Sequence, residues 1–178
     1  MRGLILVKLI LSFCFILTLV SCNQSTNSEK RSEELPNLEE PLLNANKQAV
    51  KAEQEQIDNF ISRYKWQMQE TGSGLRYAIY KKGTGPKAET GKVAIMNFTV
   101  KLITGEEVYS SKKDGVKEFL IGKGGVESGL EEGILLLHVG DHAKFIIPSH
   151  LGFGLLGDQN KVPPKSTLIY DIELLDLK

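Results

Sequence analysis

Two apolar periods share this chain, and the points where one replaces the other mark its organisation. Val50, Ile57, Phe60, Ile61, Tyr64 and Met68 recur at helical spacing with Lys, Glu and Gln between them, which predicts an amphipathic helix over Asn46–Gln69. An apolar stripe this wide has to be covered. The cover is the chain's own domain, a second copy docking as a homodimer, or a membrane surface. The last is disfavoured because the polar face is as acidic as it is basic. Thr71-Gly72-Ser73-Gly74 then breaks the helix.

After Gly74 the period falls to two. Leu75, Tyr77 and Ile79 alternate with Arg76, Ala78 and Tyr80. Val93–Ile103 reads as a long strand with Ala94, Met96, Phe98, Val100 and Leu102 on one face, and Thr104-Gly105 turns it into Glu106–Tyr109. Short strands follow at Glu118–Ile121 and His142–Ile147, and a closing one at Thr167–Leu177. Ser128–Leu137 is the one helical stretch in this block. Leu130, Ile134 and Leu137 share a face, Ser128 and Glu131 have capping-box spacing, and Gly140 follows where a helix end favours a left-handed backbone. Strands around a single helix predict an α+β domain, an antiparallel sheet wrapped around that helix.

The N-terminus carries a different signal. Arg2 and Lys8 precede an apolar run from Leu9 to Val20, shorter than the about 20 residues a spanning helix needs. The run ends in Leu19-Val20-Ser21-Cys22, which looks like a lipobox. This predicts a lipoprotein signal peptide over 1–21 and lipid on the thiol of Cys22. The alternative is an uncleaved anchor helix. Residues 22–44, rich in Ser, Asn and Glu and carrying Pro36 and Pro41, read as a tether whose roughly 20 residues reach ~25 Å. The segments are then tether 22–44, helix 45–72 and domain 73–178. Cys14 falls in the signal and Cys22 carries lipid, so no disulfide is expected in the mature chain. Lys and Arg number 22 and Asp and Glu 22, a balance that argues against nucleic acid as a partner.

Local sequences in the C-terminal block occur in a telling order. Gly83-Thr84-Gly85-Pro86, Asn97-Phe98-Thr99, Tyr109-Ser110-Ser111 and Phe119-Leu120-Ile121-Gly122 come first. Gly129-Leu130-Glu131-Glu132-Gly133, Val139-Gly140-Asp141, Gly152-Phe153-Gly154, Val162-Pro163-Pro164 and Thr167 to Leu175 follow. From about Ser73 to Lys178 the chain resembles the FKBP family of prolyl isomerases. With its lipobox, spacer and Thr71-Gly72-Ser73-Gly74-Leu75 entry it is similar to FKBP lipoproteins of gliding bacteria, which implies an envelope location and a link to gliding motility. Asn23 after Cys22 resembles an outer-membrane sorting pattern, which implies the outer membrane facing the periplasm. The resemblance implies a pocket for proline-containing polypeptides. Phe98, Val108 and Tyr109 come from the strands, and Val126, Glu127 and Leu130 from the start of the helix. Phe153 and Val162 form the lip and Tyr170 the back wall, with the Glu127 backbone amide facing the substrate carbonyl.

The chain departs from the family pattern at several of these positions. Tyr109 replaces an Asp, Phe153 a tyrosine, Glu127 an apolar residue and Leu130 the tryptophan of well-known members; an aromatic wall position falls at Lys117 or Val116. These changes imply a wider pocket stripped of polar groups, with weaker isomerase activity and weaker binding of FK506-type inhibitors. A binding module on an FKBP scaffold, with vestigial activity, is the alternative reading. Leu155 and Leu156 beside the lip either contact clients or tuck under their own loop.

No cofactor or metal is implied. His138, His142 and His150 lack a Cys or carboxylate cluster, and Gly140 interrupts the helix that the first pair's spacing would need. Gly122–Gly125 lacks the Lys-Ser/Thr ending of a phosphate loop.

Overall fold

The alternation in Val93–Leu102 builds the centre of the molecule. In the computed structural model, which describes residues 39–178, this strand (β3) buries Ala94, Met96, Phe98, Val100 and Leu102 on one side. Around it run β1 (Gln69–Glu70), β2 (Arg76–Lys81), β4 (Glu107–Ser110), β5 (Lys117–Leu120), β6 (His142–Ile147) and β7 (Leu168–Leu177). The order is β1-β2-β6-β7-β3-β4, all antiparallel. β4 and β5 share one edge of β3, pairing with residues 99–101 and 93–96. This is the antiparallel sheet with one helix on its inner face that the sequence predicts. The signal segment, Cys22 and the tether as far as residue 38 lie outside the described residues.

The covering helix is α3 (Ser128–Ile134), placed after a one-turn α2 (Ser111–Asp114). Leu130, Ile134 and Leu137 are fully buried beside Phe145, Leu168 and Tyr170. Gly133 permits this approach, since a Cβ there would lie 2.4 Å from the Phe145 ring. The predicted capping box does not form. Glu127 is the N-cap, Ser128 Oγ donates to the Leu151 carbonyl (3.2 Å), and a Glu131 carboxylate oxygen accepts from the Gly124 amide (2.9 Å). Both side chains fasten neighbouring loops instead. The helix also stops at Ile134 rather than Leu137, because the Leu136 and Leu137 amides turn back to Gly133 and Ile134. Gly140 takes the left-handed conformation (φ 91°).

The N-terminal helix, α1, spans Glu39–Tyr64, not Asn46–Gln69. It begins earlier because Glu39, Glu40 and Pro41 suit a first turn: acidic groups favour its dipole, and proline gives up an amide that has no partner there. It ends earlier because Lys65 turns left-handed (φ 55°) and Trp66 folds back with its amide on the Ile61 carbonyl. From Ala45 onward the helix belongs to the same compact unit as the sheet. Ile57 is fully buried against Ile146 and Ile169, with Phe60, Ile61, Trp66 and Met68 around them. Val50 and Tyr64 stay exposed. Among the described residues, no helix is long and apolar enough to cross a membrane.

Candidate functional site

Inner-facing side chains at one end of β3, β4 and β7 open onto a cavity of about 490 Å³. Phe98 and Val100 come from β3, Tyr109 from β4 and Tyr170 from β7; Glu127 precedes α3, and Phe153 projects from the loop joining β6 to β7. Ser111 clips the wall together: its hydroxyl accepts from the Phe98 amide (3.2 Å) and donates to the Phe98 carbonyl (3.3 Å). Asp114 caps the same corner by accepting from the Ser110 amide (3.0 Å).

Five residues predicted for the pocket, Phe98, Tyr109, Glu127, Phe153 and Tyr170, are brought together on its surface. Val108, Leu130 and Val162 are buried in the core behind it, and Val126 packs against that core half-buried. Lys117, not Val116, faces the cavity, with its ammonium 5.7 Å from the Phe98 ring centre. Val116 points to solvent. Leu155 and Leu156 are exposed at 70% and 72%, so the loop does not cover them.

The cavity is more polar than the departures at Tyr109 and Phe153 imply. Asp158 and Asn160 reach it from the β6–β7 loop and Asp114 from α2; none of them was singled out in the sequence. Asp158 organises the tip. One of its oxygens accepts from the amides of Asn160 (2.9 Å) and Val162 (2.7 Å), and the other from the Tyr109 hydroxyl. Burial alone would raise the Asp158 pKa. The bonds from Tyr109 and the loop amides outweigh it and hold the carboxyl below its usual range. The same hydrogen bond, assisted by burial, pushes the Tyr109 hydroxyl up. Lys161 sits 4.6 Å over the Tyr109 ring, so the position where the family has an Asp is here the centre of a small cross-loop network. A signal was present in Gly157-Asp158-Gln159-Asn160, whose Asp and Asn two residues apart suit an Asx-type turn.

At the back wall, the Tyr170 hydroxyl donates to a Glu127 carboxylate oxygen at 2.7 Å. Burial first, and then the Glu127 charge, raise the Tyr170 pKa well above the ordinary phenol value. The second Glu127 oxygen has no partner among the described residues. Its backbone carbonyl accepts from the Leu130 and Glu131 amides. Its own amide donates to no other group among the described residues, as the first amides of a helix commonly do not. The site therefore combines aromatic walls with a spare backbone donor at a helix start.

This sheet, its covering helix and the cavity between them define an FKBP-type domain, and the comparisons agree. The family model for FKBP-type peptidyl-prolyl cis-trans isomerase matches residues 85–175. The chain belongs to that family. The FKBP-type peptidyl-prolyl cis-trans isomerase FkpA of Buchnera aphidicola subsp. Schizaphis graminum is 35% identical over 168 residues, covering 89% of this chain and 65% of that protein. A probable FKBP-type peptidyl-prolyl cis-trans isomerase of Haemophilus influenzae is 32% identical over 156 residues, covering 84% of this chain and 64% of its own length. The chain thus spans just under two thirds of these relatives. Among solved structures, FkpA from Escherichia coli superposes with a TM-score of 0.64 at 29% identity, covering 77% of this chain and 64% of that one. AtFKBP13 gives 0.61 at 30% identity, covering 64% of this chain and all of its own.

Proposed function

We propose that the domain isomerises X–Pro bonds in exported polypeptides, working as a lipid-anchored folding helper in the bacterial envelope. The observation that carries the activity is the pairing of an aromatic-walled cavity with the uncommitted Glu127 amide. Rotation about an X–Pro bond crosses a barrier of about 18–20 kcal/mol. The planar amide owes that barrier to charge separation, which apolar walls of Phe98, Phe153 and Tyr170 disfavour. As the bond twists, the Glu127 N–H holds the carbonyl oxygen, so the site binds the twisted state better than the planar one. No covalent step is involved. Tyr109, committed to Asp158, and Phe153, lacking a hydroxyl, leave fewer groups to orient the substrate, which supports slower turnover than a prototypical FKBP.

The anchor reading rests on Leu19-Val20-Ser21-Cys22, and the gliding link on the lipoprotein resemblance. The exposed Leu42, Leu43 and Val50 on α1 support a homodimer through the helix, which sedimentation would test. A second reading, a client-binding module with vestigial activity, is favoured by the exposed Leu155-Leu156 pair. A proline-peptide isomerisation assay run beside an aggregation-suppression assay separates the two. We expect measurable rate enhancement, with Phe153→Ala lowering kcat/KM by about tenfold or more. Suppression of aggregation without any rate enhancement would establish the module instead. Metabolic labelling with radioactive palmitate, lost in Cys22→Ser, tests the anchor.

A further inference from the structure

One carboxylate on α1 grips both ends of the loop that carries the pocket's lip. Glu53 stands in mid-helix, half-buried. One of its oxygens accepts from the Ser149 amide (2.7 Å) and from the Thr167 hydroxyl (2.7 Å), and the other from the Ser149 hydroxyl (2.9 Å). Ser149 is the second residue after β6 and Thr167 immediately precedes β7, so these contacts pin the two feet of the segment that holds Phe153, Asp158 and Val162. Between feet and tip the segment is also tied by the Ser128 hydroxyl on the Leu151 carbonyl (3.2 Å), by His150 Nε2 against the Ser73 carbonyl (3.0 Å) and by Val162 in the core. The Lys165 amide reaches the Gly154 carbonyl (2.8 Å), and Asp158 holds the tip to Tyr109. All three donors to Glu53 are neutral, and hydrogen bonds to an ionised acceptor are about twice as strong as neutral ones.

We propose that Glu53 is a positioning residue for the isomerase site, through which the upstream helix sets the shape of the substrate loop. Docking of α1 closes the base of the loop, and the base fixes where Phe153 stands over the cavity. Displacing the helix frees both feet at once. The inference rests on the isomerase reading for its kinetic consequence but not for its structural one.

The contrast lies along the same helix. Asp58 also joins α1 to the sheet, through Arg76 (3.3 Å), and among the described residues it makes no hydrogen bond or ion pair to the loop. In the full chain, Glu53→Ala should speed amide exchange over residues 149–166 by about tenfold or more, whereas Asp58→Ala leaves it unchanged. Peptide kcat/KM should fall by about tenfold in Glu53→Ala, chiefly through KM, and stay within about twofold in Asp58→Ala. Glu53→Gln keeps one acceptor for the Ser149 amide and Thr167 and should retain most of the wild-type behaviour. Equal exchange and equal kinetic loss in Glu53→Ala and Asp58→Ala would overturn the proposal, showing a helix anchor with no role in the loop. Unchanged loop protection in Glu53→Ala would overturn it too. If the wild-type chain accelerates no X–Pro peptide yet the exchange contrast appears, the isomerase reading falls and the brace stands.

Discussion

Phe145 and Ile146 are adjacent in β6, yet they point into two cores built on different terms. Phe145 faces α3 in a continuous apolar mass that includes Leu130, Ile134, Leu168 and Tyr170. Ile146 faces α1, where the fully buried partners shrink to Ile57 and, nearly buried, Ile169. What the outer side lacks in buried hydrocarbon it gains in directed polar contacts. Arg76 is buried there at 7% exposure, bonded to the Gly74 carbonyl, Gln54, Asp58 and Glu70, and Glu53 holds the β6–β7 loop. Apolar packing is undirected and cooperative, so the inner core should govern global stability. The outer layer depends on a few geometry-dependent bonds and should open alone.

Leu130→Ala should have the largest effect, costing about 2–5 kcal/mol in chemical denaturation by leaving a cavity in the inner core. A smaller cost would mean that the core collapses into the space. Arg76→Met should cost about 1–2 kcal/mol, since Asp58 and Glu70 can return to water while the Gly74 carbonyl loses a donor. Ile57→Ala sharpens the contrast: exchange within α1 should accelerate strongly, while the main unfolding midpoint moves by less than about 1 kcal/mol. A midpoint shift as large as that of Leu130→Ala would show that the two sides form one cooperative unit.

The smallest effect concerns pH at the loop tip. The Asp158 carboxyl lies below its usual range when folded, so its bonds add stability above the unfolded carboxylate pKa and lose it as pH falls through the folded one. Protection of the Val162 amide should hold from neutral pH into the ordinary carboxylate range, about 4, and disappear only as the pH falls further, through the lowered folded value, with the domain still folded. Asp158→Asn should remove that pH dependence.

Strands with one buried face were legible because their period of two survives in the sequence, as in Ala94-Met96-Phe98-Val100. The same alternation sets Arg76 on the face opposite Leu75 and Tyr77 but does not show that it is buried there. Alternation locates the polar side of a strand but not the helix that later covers it. Ser128 and Glu131 show the limit of local signals, since their spacing fits a cap while Leu151 and Gly124 claim them in three dimensions. β1 was invisible because two residues carry no period. In the pocket, aromatic positions followed from the family pattern, whereas Asp158 and Glu53 act across 49 and 96 or more residues of sequence. No window along the chain relates them.

The short flanks of the sheet bear on the proposed work among unfolded chains. An open strand edge offers free amides and carbonyls as a template for β-aggregation. Here β1 has only two residues at one flank, and β4 and β5, four residues each, divide the other. The stretch of β2 left uncovered by β1 is broken by a bulge between Ile79 and Lys81 and ends at Lys81, with Lys82 next in the chain. In the proposed role of folding helper, the domain would thus give half-folded clients little edge on which to nucleate a fibre.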